Sequence, residues 1–360
     1  MPIDLRSDFT TRPTEAMVQA MLRAARLAPG FGPREDPTVS ALEACAARLL
    51  GKADALFCPT CMLANQIAIH IHCRPGEAFL TEAEAHVVTS ESGAAAALSG
   101  AFPRIVPARF GALDPQAVAA NLDAGDAQRP RTAMLLLENT HVRSGGRLLS
   151  LEQMDSLTGL ARNAGVAVHL DGARLFNAAV ALGVPADAIA RLADSVSVNL
   201  NKGLGAPLGA ILAGDREFVA EAVRVRQMFG GGWRPAGIPA AAGLVALQSM
   251  VQRLGEDHAR ARRLALGLQR LDGLEIDLDQ VQSNIVLVRP LPRQDSSDPV
   301  TALADKLAEH GVLALPFGSR LRLVIHHEID DAAIEHTLDA FARAPFARPP
   351  TSSPPISRPQ

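Results

Sequence analysis

The chain contains no tyrosine, so no phenol can act as an acid or base anywhere in it. Lysine is nearly absent. Of 35 basic residues only Lys52, Lys202 and Lys306 are lysine, and the rest are arginine. The four cysteines, Cys45, Cys58, Cys61 and Cys73, are too few to make a disulfide scaffold of 360 residues. No apolar run approaches the roughly 20 residues of a membrane helix, which excludes a membrane-spanning role. A net charge of −3 without a basic block gives no nucleic-acid footprint. The opening "MPIDLRSDFTTRP" lacks the apolar centre of a signal peptide. Together these absences predict a cytoplasmic protein whose partners are small molecules.

Hydrophobic residues make up 48% and charged residues 20%, enough for a sizeable core. The length suits one large domain and a smaller one. "TEAMVQAMLRAARLA" (14–28) has helical apolar spacing, and "PTVSALEACAARLLG" (37–51) starts on Pro and ends on Gly, as helices do. "DALFC" (54–58) reads as a strand followed by a helix over 62–73. "TAMLLLEN" (132–139), "VAVHLD" (166–171), "SVSVNL" (195–200) and "LGAILAG" (208–214) read as strands buried on both faces. Helices such as "LEQMDSLTGLARNAG" (151–165) lie between them, giving an α/β fold with a mostly parallel sheet. From about residue 255 the pattern becomes a small α+β unit. The expected division is 1–254 with an N-terminal arm, 255–345, and a disordered Pro- and Ser-rich tail at 346–360.

In such sheets ligands gather at the carboxyl ends of strands. Asp171 closes "VAVHLD", Lys202 follows "SVSVNL", and Glu138, Asn139 and His141 follow "TAMLLL". Asp171 alone reads as a helix N-cap, and Lys202 alone as a lysine snorkelling at a strand end. Yet a chain that writes its positive charge as arginine has a lysine here, in an apolar stretch. That suggests chemistry needing an amine that can lose its proton. A lysine able to form a Schiff base and a carboxylate able to hold a pyridine nitrogen protonated are the minimum set for pyridoxal 5'-phosphate (PLP) chemistry. "CPTC" (58–61) reads first as two buried small side chains in a strand-to-helix turn. A redox pair comes second, and a metal site with His70, His72 and Cys73 third. No metal is expected.

The segments "DLRSDFTTRPT" (4–14), "EDPTVSALE" (35–43), "LLLENTHVRSGGR" (135–147), "HLDGARLFNAAVALGV" (169–184), "SVSVNLNKGLGAPLG" (195–209) and "GGGWRPAGIPAAA" (230–242) resemble the low-specificity L-threonine aldolases. These are fold-type I PLP enzymes of the β-eliminating lyase group, and the similarity runs in order from about Ile3 to about Ala344. The resemblance implies a homotetramer, or a dimer, with shared active sites. It makes Lys202 the Schiff-base lysine and Asp171 the partner of the pyridinium nitrogen. Arg174, taken as three residues along the same helix face, would meet the cofactor's phenolic oxygen and the substrate carboxylate. Arg322 would be the second carboxylate arginine, assisted by Ser7. His86 would stack on the ring and His141 would lie near the substrate hydroxyl. His326 and His327 are further candidates, lying near Arg322 in sequence. The glycines after Lys202 would let the backbone pass close to the cofactor. The implied reaction cleaves threonine, allo-threonine or bulkier β-hydroxy-α-amino acids to glycine and an aldehyde. His141, or a water held by His86 and His141, would be the base.

Three departures from the family carry expectations of their own. In the turn that cups the phosphate, beside Thr60, the family's Gly-Thr pair is replaced by Cys61 and Met62, whose side chains must turn away. A lysine that reaches the neighbour's phosphate is replaced by Gln227, while Arg234 is kept. Arg34, Arg224 and Arg226 are candidates to compensate. A tyrosine of the substrate pocket is replaced at Pro33 and Arg34, which implies a preference for larger or more acidic β-substituents. The alternatives are a related PLP lyase or racemase, a synthetic aldolase on a specialised amino acid, or a PLP-fold protein with weakened cofactor binding.

Overall fold

The computed structural model describes residues 2–291 and 298–344, so the tail expected over 346–360 lies outside the described residues. The five expected strands form as Asp54–Cys58, Thr132–Glu138, Ala167–Gly172, Ser195–Asn199 and Ala210–Gly214. Two short strands, Ala78–Thr81 and Phe102–Ile105, were not apparent from the sequence. Each has only four residues, and Phe102–Ile105 carries Pro103 at the sheet edge, where a missing donor is tolerated. Among the described residues these seven make one sheet. Its order is Asp54–Cys58, Ala210–Gly214, Ser195–Asn199, Ala167–Gly172, Thr132–Glu138, Ala78–Thr81, Phe102–Ile105. Only Ala210–Gly214 runs against its neighbours.

Every residue of Thr132–Glu138 and of Ser195–Asn199 is buried, which explains their unbroken apolar character. Leu42, Phe57, Leu135, Leu170, Val198 and Ile211 belong to the large core against this sheet. The helices are held at their starts as the sequence suggests. Asp36 accepts the Thr38 and Val39 N–H groups ahead of Pro37, and Ser150 with Gln153 forms a capping box. A second core, with Leu264, Val286, Leu321 and Phe341, packs on a four-stranded sheet made of Leu274–Glu275, Ile285–Pro290, Arg320–Val324 and Leu315–Phe317. The N-terminal arm crosses to this second unit. Ile3–Asp4 pairs in parallel with Val312–Leu313, and Leu5 is buried in the second core. Among the described residues no helix is long and apolar enough to cross a membrane.

The sheet register positions the chemistry. Glu138 lies beside Asp171, and Asp171 beside Ser197, in one row across three strand ends.

Candidate active site

A cavity of about 200 Å³ opens at these strand ends, lined by Phe9, Pro59 to Met62, His86, Asn199, Asn201 and Lys202. The Lys202 amine has no hydrogen-bond or ion-pair partner among the described residues. Burial lowers its proton affinity, and the Arg174 guanidinium lowers it further. Two of the glycines after it could not carry a side chain without meeting a neighbour. At Gly205 (φ 72°) a Cβ would lie 2.9 Å from His327 Nε2, and at Gly209 (φ 109°) 2.5 Å from the Phe57 ring.

Asp171 is not a helix cap. It sits within the strand Ala167–Gly172, and the next helix, Leu175–Leu182, starts after Arg174 without a side-chain cap. Asp171 and Arg174 therefore do not share a helix face; the turn between strand and helix joins them. Asp171 accepts the Ala173 N–H at 3.0 Å and the Asn65 side-chain amide at 2.7 Å. Asn65 is fully used. It also donates to Glu91 at 3.0 Å, and its oxygen faces Ser197 Oγ at 2.6 Å and His169 Nε2 at 3.2 Å. Glu91 in turn holds His86 Nδ1 at 2.8 Å and Gln66 Nε2 at 2.6 Å. His86 Nε2 is left without a partner among the described residues, and the ring lines the cavity. Burial works against charge on His86, but the Glu91 hydrogen bond and the Asp171 charge outweigh it, so its pKa rises. Asn65 and Glu91 were invisible to sequence reasoning, because nothing local marks a buried amide as a junction.

The two arginines expected to bind carboxylate are both buried. Arg174 forms a bidentate pair with the buried Asp8, at 2.8 and 2.6 Å. Arg322 donates to the Arg6 carbonyl at 3.1 Å, while its Nε is buried without a partner. Ser7 is buried beside them, its hydroxyl 3.4 Å from Asp8. His326 turns to the Asp4 carbonyl at 2.8 Å, and His327 packs on Gly205.

His141 stands apart from the Lys202 cavity. Its ring is buried, with Nε2 2.8 Å from Glu82 and Nδ1 2.8 Å from Ser144 Oγ. The Ser144 N–H also points at Nδ1, at 3.3 Å, so the neutral ring carries its proton on Nε2 toward Glu82. Both ring nitrogens thus have partners within this chain.

On the phosphate side, Thr60 caps the Cys61–His72 helix by accepting the Leu63 N–H at 3.1 Å. The Cys61 and Met62 N–H groups face the cavity end of this helix, a setting that suits an anion. Met62 turns outward, 44% exposed, but Cys61 does not turn away. It is buried at the cavity wall, near enough to Asp171 and Lys202 to feel their charges. Burial pushes the Cys58 thiol up to about 12 and the Cys61 thiol further still. His70 bonds Ser99 and His72 bonds Ser195, so the zinc set imagined from spacing is not assembled. His86, Glu91 and Asp171 do bring ligand atoms within 4.8 Å of one another, but they belong to the hydrogen-bonded wall just described.

Of the compensating arginines, Arg34 is tied to Glu43, Asp54 and the Ala55 carbonyl, and Arg224 pairs with Glu221 on the surface. Arg226 holds the Phe57 and Pro33 carbonyls, at 2.5 and 3.1 Å. None of the three lines this chain's own cavity. Arg234 is exposed and donates to the Phe31 carbonyl at 2.7 Å. A capped helix end for an anion, an unpaired, half-buried amine and a buried carboxylate at a strand end together fit a phosphorylated pyridine aldehyde.

The beta-eliminating lyase family matches residues 4–290. Low-specificity L-threonine aldolase 1 of Arabidopsis thaliana is 39% identical over 352 residues, covering 95% of this chain and 96% of that protein. The low specificity L-threonine aldolase of Escherichia coli K12 is 38% identical over 91% of this chain and 94% of its own. A solved threonine aldolase of Leishmania major superposes with a TM-score of 0.82 at 19% identity, over 95% of this chain and 99% of that one. A Sphingomonas wittichii serine palmitoyltransferase does so at 0.73 and 16% identity, over 95% and 86%. These two structures share the fold: α/β with a mostly parallel central sheet and a C-terminal sheet unit. With its strand-end lysine and aspartate in place, the chain belongs to the beta-eliminating lyase family, among the low-specificity L-threonine aldolases.

Proposed function

We propose that this protein is a PLP-dependent aldehyde-lyase that cleaves β-hydroxy-α-amino acids, threonine among them, to glycine and an aldehyde. The observation that carries this reading is the unpaired, half-buried Lys202 amine in a cavity shared with His86 and the capped helix end. PLP, when bound, supplies an aldehyde that condenses with an amine and a ring that accepts the electron pair released at Cα. Lys202 would hold it, with Asp171 at the ring nitrogen and Thr60, Cys61 and Met62 around the phosphate. Burial and Arg174 favour the neutral form of the Lys202 amine, the form that can act as a nucleophile. Arg174 and Arg322 would grip the α-carboxylate with Ser7 beside them. A grip at that end leaves the β-substituent free, as low specificity requires.

The base must lie within hydrogen-bond reach of the β-hydroxyl, directly or through one water. We assign His86 Nε2, since Glu91 holds the ring proton on Nδ1 and leaves Nε2 as the open lone pair. His141, paired with Glu82, would support the substrate side through a water. We further propose a homotetramer working in the cytoplasm. The exposed Phe31 (87%), whose carbonyl takes Arg234, suits a contact through which Arg234 reaches a neighbour's phosphate. We keep 1–254 and 255–345 as the two domains, with Ile3–Leu5 crossing into the second core.

The test is the spectrum of wild type and Lys202→Ala with added PLP, followed by borohydride treatment and peptide mapping. A pyridoxyl label on Lys202 in wild type, lost in the variant, is expected. The same absorbance band in both proteins would remove Lys202 from this role. Product analysis separates aldol cleavage (glycine and an aldehyde) from β-elimination (a keto acid and ammonia). Comparing threonine, phenylserine and 3-hydroxyaspartate tests the preference for larger or more acidic substituents. A clear preference for threonine would end that idea.

A further inference from the structure

Asp8 is completely buried and lies between the large sheet and the C-terminal unit. Its two oxygens take Arg174 Nε and Nη2, and Asn284 Nδ2 donates to one of them at 3.2 Å. Bidentate pairing fixes a guanidinium in orientation as well as position. It leaves Arg174 Nη1 without a partner among the described residues. Two residues earlier, the Arg6 carbonyl receives Arg322 Nη2, and that guanidinium also lies 5.1 Å from the Phe317 ring centre. The arm that carries both contacts is anchored by three backbone hydrogen bonds of 2.8 Å, from Ile3 to Gly311, Leu5 to Leu313 and Val324 to Leu5.

Asp8 offsets one of the two buried guanidinium charges, and Arg143 shares the Phe317 ring with Arg322. Arg322 Nε, buried and unpartnered, marks where an acceptor is lacking. Without Asp8, two like charges would face each other in a dry site, and Arg174 would lose the contact that aims it.

We propose that Asp8 is a positioning residue for the α-carboxylate site: it orients Arg174 and offsets its charge, while the arm from Ile3 to Asp8 fixes Arg174 and Arg322 together. This rests on the aldolase reading above. It separates Asp8 from a plain structural ion pair, because it predicts an effect confined to ligands that carry a carboxylate.

The test compares binding of glycine and of 2-aminoethanol to the PLP-loaded enzyme, read from the change in cofactor absorbance. Both ligands present an amine, and only glycine has the carboxylate. Wild type is expected to prefer glycine. Asp8→Asn keeps the shape and removes the charge; it should weaken glycine about ten- to hundredfold and leave 2-aminoethanol within about twofold. A folded Asp8→Asn protein with glycine affinity within twofold of wild type overturns the proposal, whatever its melting temperature. So does equal weakening of both ligands. If Asp8→Asn does not fold, Asn284→Ala carries the same test, since it takes away the second donor to the Asp8 oxygen that receives Arg174 Nε. A smaller loss confined to glycine supports the proposal, and an unchanged preference overturns it. A wild type that does not prefer glycine at all refutes the carboxylate site itself, and with it the reading on which Asp8 depends.

Discussion

Replacing Asn65 by leucine would remove a side chain of similar size that is 1% exposed and makes four hydrogen bonds. What matters is the state of the groups left behind. Asp171 keeps the Ala173 N–H, and Glu91 keeps Gln66 and His86. Ser197 and His169 lose the acceptor they share, deep in the sheet. A stranded buried polar group costs about 1–3 kcal/mol, and the two carboxylates lose part of their support, so about 3–5 kcal/mol is expected. The assay is urea unfolding of the cofactor-free protein, followed by the single tryptophan. The Trp233 ring lies 5.3 Å from that of Phe57 in the seven-stranded sheet, tilted by 36°, so its fluorescence reports on the right core. Asn65→Asp sharpens the test. It sets a third carboxylate against Asp171 and Glu91, and like charges at hydrogen-bond range cannot all ionise. This variant should be less stable than Asn65→Leu at pH 8 and recover ground as pH falls, because the new carboxyl takes a proton more readily when folded. A loss below about 1 kcal/mol for Asn65→Leu, or wild-type stability of Asn65→Asp at pH 8, would refute the junction role.

Other perturbations separate the remaining parts of the structure. Burial works against charge on His141, yet Glu82 and Glu138 raise its pKa above the ordinary histidine value. The stabilisation is therefore complete below pH 6.5 and fades as pH rises through the folded value. The gap in urea midpoint between wild type and Glu82→Gln should narrow from pH 6 to pH 9, and a constant gap would contradict it. Arg34→Met would leave the buried Glu43 with only the Phe57 N–H. We expect a loss of about 2–3 kcal/mol, with PLP affinity within twofold of wild type; a large drop in PLP affinity would return Arg34 to the phosphate. All four cysteines are buried, and burial raises Cys58, Cys61 and Cys73. Ellman's reagent should react slowly with the native protein and fast in urea, whereas a rapidly reacting native thiol would revive the redox reading of "CPTC".

The gain from structure is uneven along the chain. Strands buried on both faces announce themselves by composition, so the central sheet was legible. Ala78–Thr81 and Phe102–Ile105 were not, because four residues carry no period, and the second strand also holds a proline. The same limit applied to the site. Lys202 was conspicuous because lysine is rare here, and Asp171 because it ends a strand. Asp8 stood inside a quoted motif yet had no visible task, since its partner Arg174 lies 166 positions away. His141 was visible as a histidine, but its commitment to Glu82 and Ser144 depends on how the loop closes.

Composition and residue type alone determined the α/β class, the amine at Lys202 and the carboxylate at Asp171. These follow from local hydrophobicity and from what each side chain can do chemically. Tertiary structure decided which nitrogen of His86 stays open, which way Cys61 faces, that Arg34 is bound elsewhere, and that one buried carboxylate holds a guanidinium ready. Those are facts of distance between remote segments in a medium that cannot screen them, and sequence spacing does not encode them.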